Sequence, residues 1–292
     1  MRILKKEDIQ KVFTMKEAVA ADKEAFRLYS ENKSVVPLRT NIQGQNKGNM
    51  LFMPGYVEEL STAGIKIVSV YPENPQKGLP VTPAKVLLLD GQTGDVTCLL
   101  DGTYVTQLRT GAATGVAFDL LARKDAQIGA LFGTGGQAAS QLEAMITVRQ
   151  LKEVRVFGRN KENALNFVKK MQEKFPKVLI KLTESPDEAI ENADVITLVT
   201  NATRPIFDGN KVKKGATISA VGSYMPQMQE LDPVVLQKAT KIYFDSLEAV
   251  LEESGDILKP LANGMIREYD FTGEIGEVVN GNLIGRENDE EI

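Results

Sequence analysis

The stretch Ala126-Gln127-Ile128-Gly129-Ala130-Leu131-Phe132-Gly133-Thr134-Gly135-Gly136-Gln137-Ala138 decides the fold. Residues 126–132 form a short apolar run of the kind that fills a buried parallel strand. Gly133-x-Gly135-x-x-Ala138 follows at once, and residues 137–149 then carry a helical pattern. In a dinucleotide-binding strand–turn–helix the first glycine permits the tight turn. The second lets backbone approach a pyrophosphate, and a small third residue allows close helix–strand packing. The helix N-terminus offers amides and a positive dipole to the phosphates. A glycine turn by itself is a weak signal, so the surrounding pattern matters. Strand-like and helix-like segments alternate outward from it, at 126–132, 137–149, 153–157, 161–174, 178–182, 185–192, 195–200 and 217–221. Repeated βα units predict a parallel, doubly wound sheet.

The preceding third reads differently. Thr14-Met15-Lys16-Glu17 has the form of a capping box, in which the Thr hydroxyl accepts an amide while Glu17 reaches back. Apolar residues then recur at helical spacing as far as Ser30-Glu31-Asn32-Lys33. Short apolar runs at 49–54, 63–70 and 85–90 are separated by Gly, Pro and Asn clusters and predict strands. Asp90-Gly91 and Thr93-Gly94-Asp95 predict a hairpin turn before a run at 96–100. The expected fold class is α/β: a Rossmann doubly wound parallel sheet over 119–265, plus an α+β domain made of 1–118 with 266–292. The last stretch, from Gly273, is rich in Gly, Asn and acids and reads as a return segment or tail.

Composition excludes several chemistries. The 292 residues contain no histidine and one cysteine, Cys98. His-based triads, His general bases and His- or Cys-ligated metal sites are therefore ruled out, and no metal is expected. Cys98, in an apolar run, reads as a buried structural thiol. The 35 basic and 39 acidic residues are well mixed, for a net charge of −4. No basic stripe points to nucleic acid, and no basic tail to a membrane surface. The first residues lack the apolar core of a signal peptide. No apolar run approaches the ~18 residues of a membrane span. A cytoplasmic protein is the expectation.

Chemistry must then come from a cofactor or from Lys, Arg, Tyr, Ser and carboxylates. The strand at 153–157 is followed by Gly158-Arg159-Asn160-Lys161, where an NAD site prefers Asp or Glu on the ribose hydroxyls. A guanidinium at Arg159 suits a 2′-phosphate through charge-assisted bonds. The reading is NADPH preferred, with NADH possible. Lys66 interrupts an apolar strand, either on its wet face or aimed into a cleft. Arg109 lies in the small-residue run Thr106-Gln107-Leu108-Arg109-Thr110-Gly111-Ala112-Ala113-Thr114-Gly115, suited to close packing near a ligand, and Arg39 follows Pro37 in a polar loop. Together the three cations could grip one carboxylate.

These pieces resemble the ornithine cyclodeaminase/mu-crystallin family over nearly the whole chain. The resemblance rests on Gly64-Ile65-Lys66-Ile67-Val68, Gly78-Leu79-Pro80, Asp101-Gly102-Thr103 and Leu108-Arg109-Thr110-Gly111-Ala112-Ala113. It continues through the glycine turn, Ala220-Val221-Gly222-Ser223, Glu230-Leu231-Asp232-Pro233 and Asp245-Ser246. Glu253-Ser254-Gly255-Asp256 and Gly276-Glu277-Val278-Val279 complete it. It implies an N-terminal substrate-binding and dimerisation domain joined to the Rossmann domain, usually in a homodimer. It also implies that Arg39, Lys66 and Arg109 hold the substrate carboxylate or sit beside the reacting carbon. In the mu-crystallin branch, NADPH contacts fall at positions matching Thr82, Arg109, Thr134, Gly136, Gln137, Arg159, Asn160, Asn163, Thr200 and Ser223. With Gly133 and Gly135 of the glycine turn, these make up the expected cofactor site. Members usually continue past the position of Ile292 into another helical segment.

One departure bears on the reaction. Cyclodeaminases resemble Gly-Ala-Asp-x-Pro-Gly-Lys where this chain has Gly222-Ser223-Tyr224-Met225-Pro226-Gln227, so Tyr224 stands at the position of their basic Asp. A phenol with pKa near ~10 is a poor base at neutral pH. The family's reductases instead deliver hydride to a cyclic imine bearing a carboxylate. The expected reaction is therefore NAD(P)H-dependent reduction of Δ1-pyrroline-2-carboxylate to L-proline, with the piperideine analogue, giving L-pipecolate, as a second substrate. Lys66 is the expected catalytic residue. The alternatives are an ornithine cyclodeaminase, an alanine dehydrogenase and a non-catalytic NADP-dependent binding protein.

Overall fold

The computed structural model describes residues 1–292, the side chain of Pro75 excepted. The chain divides into two compact units, Met1–Arg109 and Thr110–Ile292.

The first unit begins with β1 (Arg2–Leu4), α1 (Lys6–Val12) and α2 (Met15–Ser30). The capping box forms as its spacing predicts: Thr14 N donates to Glu17 Oε2 at 2.6 Å, and Glu17 N to Thr14 Oγ1 at 3.4 Å. The strands β2 (Ser34–Val35), β3 (Thr40–Gln43), β4 (Asn49–Val57), β5 (Thr62–Val70), β6 (Ala84–Asp90) and β7 (Val96–Asp101) follow. They join β1 in one sheet of order β1-β7-β6-β5-β4-β2, with β3 also paired to β4. Only β1 pairs in parallel; the other ladders are antiparallel. The β6–β7 turn closes on Asp90, whose Oδ1 accepts from Gln92 N, Thr93 N and Thr93 Oγ1. Cys98, on β7, is a buried free thiol.

The helix α3 (Gly102–Leu121) starts in the first unit and continues into the second. Its sequence, rich in Thr, Gly and Ala, reads as a small-residue run rather than a helix. Buried residues point in several directions from it, so no amphipathic stripe marks it. The small residues serve contact: a Cβ on Gly111 would lie 2.6 Å from Ser140 O.

The second unit continues with β8 (Ile128–Phe132), α4 (Ala138–Val148), β9 (Glu153–Phe157), α5 (Lys161–Lys174), β10 (Leu179–Leu182), α6 (Pro186–Ile190), β11 (Val195–Leu198) and β12 (Thr217–Ala220). The five strands are all parallel, in the order β10-β9-β8-β11-β12. Both faces are covered, as an α/β sheet requires. Ala130, Phe132, Ile196 and Leu198 enter one apolar cluster, and Leu131, Val154, Val156 and Val195 enter the other. The chain ends through α7 (Pro233–Lys238), β13 (Tyr243–Phe244), α8 (Leu247–Glu253), α9 (Gly255–Ala262), β14 (Gly273–Glu274) and α10 (Ile275–Val279).

Two boundaries differ from the sequence reading. The division falls within α3 at Arg109/Thr110, not at 118/119. Residues 266–292 belong to the second unit instead of joining the first. Backbone pairing and a guanidinium hold them there. β14 pairs in parallel with β13. Arg286 donates to Leu121 O at 2.6 Å and to Thr217 Oγ1 at 2.9 Å. Among the described residues no helix is long and apolar enough to cross a membrane.

Candidate active site

In the second unit the glycine turn leaves the C-terminal end of the central strand β8. Gly133 has φ +106°, a conformation L side chains rarely adopt, and its N–H donates to Phe157 O at 2.9 Å. A Cβ there would lie 2.5 Å from Val199 O, so only glycine fits. At Gly135 a Cβ would meet no protein atom within 4 Å. Ala138 is fully buried at the start of α4, where a larger side chain would push the helix off the sheet. The turn thus presents exposed backbone at Gly135 and Gly136 to an approaching ligand, at the N-terminus of an 11-residue helix. Thr134 lies against Gly158: a Cβ on Gly158 would sit 3.1 Å from its Cγ2. Gln137 is the N-cap of α4, with its Oε1 buried and unpartnered.

At the end of β9, Arg159 is exposed. Asn160 caps α5, its side chain accepting from Asn163 N at 2.9 Å, so these two residues have a structural task in addition to any ligand contact. At the end of β11, Thr200 donates from both its amide and its hydroxyl to Glu230 Oε2, at 2.7 and 2.8 Å. After β12, Ser223 Oγ donates to Met228 O at 3.4 Å. Tyr224 next to it is exposed. Glu230 is buried and pushed up to about 7, chiefly by that burial; donors from Thr200 oppose the shift and Asp256 adds to it. Among the described residues no group of three or more His, Cys, Asp or Glu could hold a metal ion.

In the first unit β5 carries Lys66, which pairs with Met53 on one side and Val86 on the other. Alternation puts it on the same face as the buried Val68, not on a solvated face. Burial pushes the Lys66 ammonium down to about 7, and the charges of Arg109, on α3, and Arg39, in the loop before β3, push the same way. Of the three cations predicted from sequence, two thus act on the third, Lys66. Thr82 lies in the loop before β6, where its carbonyl accepts from Thr103 Oγ1 at 3.4 Å.

The structure adds one acid to this cluster. Asp22, on α2, is pushed up to about 7 by burial, partly offset by Arg109. Its signal was available in the sequence. Asp22 falls one turn after Ala18 and one turn before Phe26, on the apolar stripe of an amphipathic helix where a charge is out of place. Glu230 and Asp256 were quoted above only for their motifs, and nothing in their spacing reveals that both are buried.

A glycine-turned central strand in a five-stranded parallel sheet, followed by a helix N-terminus, defines a dinucleotide-binding α/β protein. The chain belongs to the ornithine cyclodeaminase/mu-crystallin family, whose model matches residues 1–292. It is 39% identical to the Δ1-pyrroline-2-carboxylate reductase of Bacillus cereus over 293 residues, covering 100% of this chain and 90% of that protein. The structure of the Thermococcus litoralis Δ1-pyrroline-2-carboxylate reductase in complex with NADH and L-proline is similar at a TM-score of 0.95 and 40% identity, covering 100% and 90% of the two chains. An archaeal alanine dehydrogenase dimer with bound NAD is similar at a TM-score of 0.91 and 34% identity, covering 100% and 88%.

Proposed function

We propose that this protein is a nicotinamide-dependent reductase of a cyclic imine bearing a carboxylate, with Δ1-pyrroline-2-carboxylate to L-proline as its reaction. The observation that carries the reading is the cluster of Lys66, Arg39 and Arg109, with Lys66 pushed down to about 7. Burial disfavours the Lys66 ammonium, and repulsion from Arg109 and Arg39 adds to that effect. A substrate carboxylate held by Arg39 and Arg109 would relieve that repulsion and fix the ring for attack. A bound reduced nicotinamide supplies the hydride to the C=N carbon. The proton that completes the amine goes to the ring nitrogen. Lys66, poised between ammonium and amine near neutrality, is the group to orient the imine and donate it. No step needs histidine or a metal. The similarity to pyrroline-2-carboxylate reductases supports the same substrate class. One more ring carbon rarely changes recognition by more than ~1–3 kcal/mol, so the piperideine analogue is a second substrate.

The cofactor roles extend this reading. Gly133, Thr134, Gly135, Gly136 and Gln137 would hold the pyrophosphate, Thr200 and Ser223 the nicotinamide side, and Thr82 and Arg109 further contacts. Arg159, with Asn160 and Asn163, would take a 2′-phosphate, which favours NADPH while leaving NADH usable. Arg159→Ala should raise the KM for NADPH about tenfold and leave that for NADH nearly unchanged. Steady-state KM values for both cofactors in both proteins check this, and no change in their ratio removes the NADPH preference.

A homodimer in the cytoplasm is part of the same proposal. Val35, Val36, Leu38 and Ile42 are exposed apolar residues along β2, β3 and the loop between them. An apolar sheet edge of this kind is suited to an interface, and the similar alanine dehydrogenase is described as a dimer.

A further inference from the structure

The scheme above leaves one buried polar cluster without a task. Glu230 and Asp256 are only 1% and 3% exposed. Glu230 Oε2 accepts from Thr200 N and Oγ1 at 2.7 and 2.8 Å, and Oε1 accepts from Gly222 N at 2.5 Å. Thr200 follows β11 and Gly222 follows β12, so one carboxylate ties the C-terminal ends of two neighbouring strands. Asp256, near the start of α9, supports it from behind. Its Oδ1 accepts from Glu230 N at 2.8 Å and from Leu231 N at 2.9 Å, and its own N–H donates to Ser223 Oγ at 3.3 Å. Its Oδ2 is buried with no hydrogen-bond partner. The backbone is close enough to exclude side chains: a Cβ on Gly222 would lie 2.1 Å from Thr200 O, and one on Gly255 1.9 Å from Met228 O.

Burying two acids is expensive unless their geometry is used. In an open α/β sheet a ligand lies outside the carboxyl ends of the strands at the point where strand order reverses, here between β8 and β11. The pyrophosphate turn follows β8 and Arg159 follows β9. The adenosine half therefore extends toward β9, which leaves β11 and β12 for the nicotinamide half.

We propose that Glu230 is a positioning residue for the nicotinamide half of the cofactor, acting through Thr200 and Gly222, with Asp256 holding both Glu230 and Ser223 in place. The clasp fixes the spacing of the two strand ends between which the ring sits. The inference rests on the cofactor reading above, but not on the identity of the imine.

The test compares two ligands by equilibrium binding to the full chain: NADPH, and 2′-phospho-ADP-ribose, which lacks the nicotinamide. The pair NADH and ADP-ribose serves equally. Glu230→Gln keeps the shape but turns an NH2 toward a backbone or hydroxyl donor. Loss of a buried, charge-assisted bond should weaken NADPH about tenfold, with the affinity for 2′-phospho-ADP-ribose unchanged to within about twofold. The kcat for imine reduction should fall by at least the same factor, with a smaller change in imine KM. Equal weakening of both ligands would mark a merely structural role and overturn the proposal, as would no weakening of either. Should Glu230→Gln not fold, Asp256→Asn, which leaves Glu230 and Thr200 in place but weakens the support of Glu230 N, should give the same selective loss, smaller in size; an unselective loss or none again overturns it. A wild-type protein that binds NADPH but reduces no cyclic imine sinks the substrate reading alone, because the binding comparison still decides the clasp. A wild-type protein that binds neither nucleotide overturns both.

Discussion

Lys66 concentrates the chemistry of this chain in one amine. A lysine in an apolar strand usually points to water, but here it shares a face with Val68 and feels two guanidinium groups. Those surroundings disfavour its charged form, from 10.5 in the open to about 7. The sign of the pH dependence follows. If the ammonium donates the proton, kcat/KM, which reports the free enzyme, should fall as pH rises through about 7. A bound substrate carboxylate stabilises the ammonium, so the corresponding limb of kcat should lie at higher pH. Paired pH profiles of kcat and kcat/KM check this, and coincident limbs would contradict it. Lys66→Ala should lower kcat by about a hundredfold or more. Its Kd for NADPH, read by nucleotide fluorescence, should stay unchanged, since the glycine turn and Arg159 are intact. Asp22 belongs to the same picture, as a buried acid on which the charge of Arg109 acts.

At the level of elements, the sequence was most readable where pattern and chemistry agreed. The glycine turn, the capping box at Thr14 and the hairpin at Asp90 are local devices, each set by a few adjacent residues, and all three appear as the residues dictate. The parallel strands were readable because both their faces are buried, giving continuous apolar runs. The helix α3 was not, because burial in several directions erases amphipathic period and its Gly and Thr content lowers helix propensity. Its stability comes from tertiary partners. Arg149, almost fully buried after α4, donates to the carbonyls of Phe118, Asp119, Ala122 and Arg123 and to Asp119 Oδ1, satisfying the orphaned end of α3. Arg149→Ala should therefore cost about 3 kcal/mol, since several buried acceptors lose their donor at once. Denaturant unfolding checks it, and a loss below about 1 kcal/mol would show that water replaces the guanidinium without penalty. The same long-range logic hid the Glu230 and Asp256 clasp. Their hydrogen-bond partners lie 8 to 33 residues away along the chain, beyond the reach of any local motif.

For the whole molecule, family membership and the cationic cluster point to one reaction class, while the 266–292 segment shows where reasoning by domain habit stopped short. From Gly273 that segment is rich in Gly, Asn and acids and reads as a return segment or tail, and Arg286 and the β13–β14 pair fasten it to the second unit. The competing activities of this family differ in what they consume. A cyclodeaminase releases ammonia from ornithine with no net change in cofactor, and the exposed Tyr224 at the position of the cyclodeaminases' basic Asp argues against that chemistry. An alanine dehydrogenase consumes pyruvate and ammonium with reduced cofactor. The most direct measurement is therefore initial-rate oxidation of NADPH and NADH by the purified chain with Δ1-pyrroline-2-carboxylate, set beside pyruvate plus ammonium and ornithine. The account predicts imine-dependent oxidation that yields L-proline, with kcat/KM for the imine well above that for pyruvate. Cofactor oxidation faster with pyruvate and ammonium than with the imine, or ammonia released from ornithine with no net cofactor change, would contradict it.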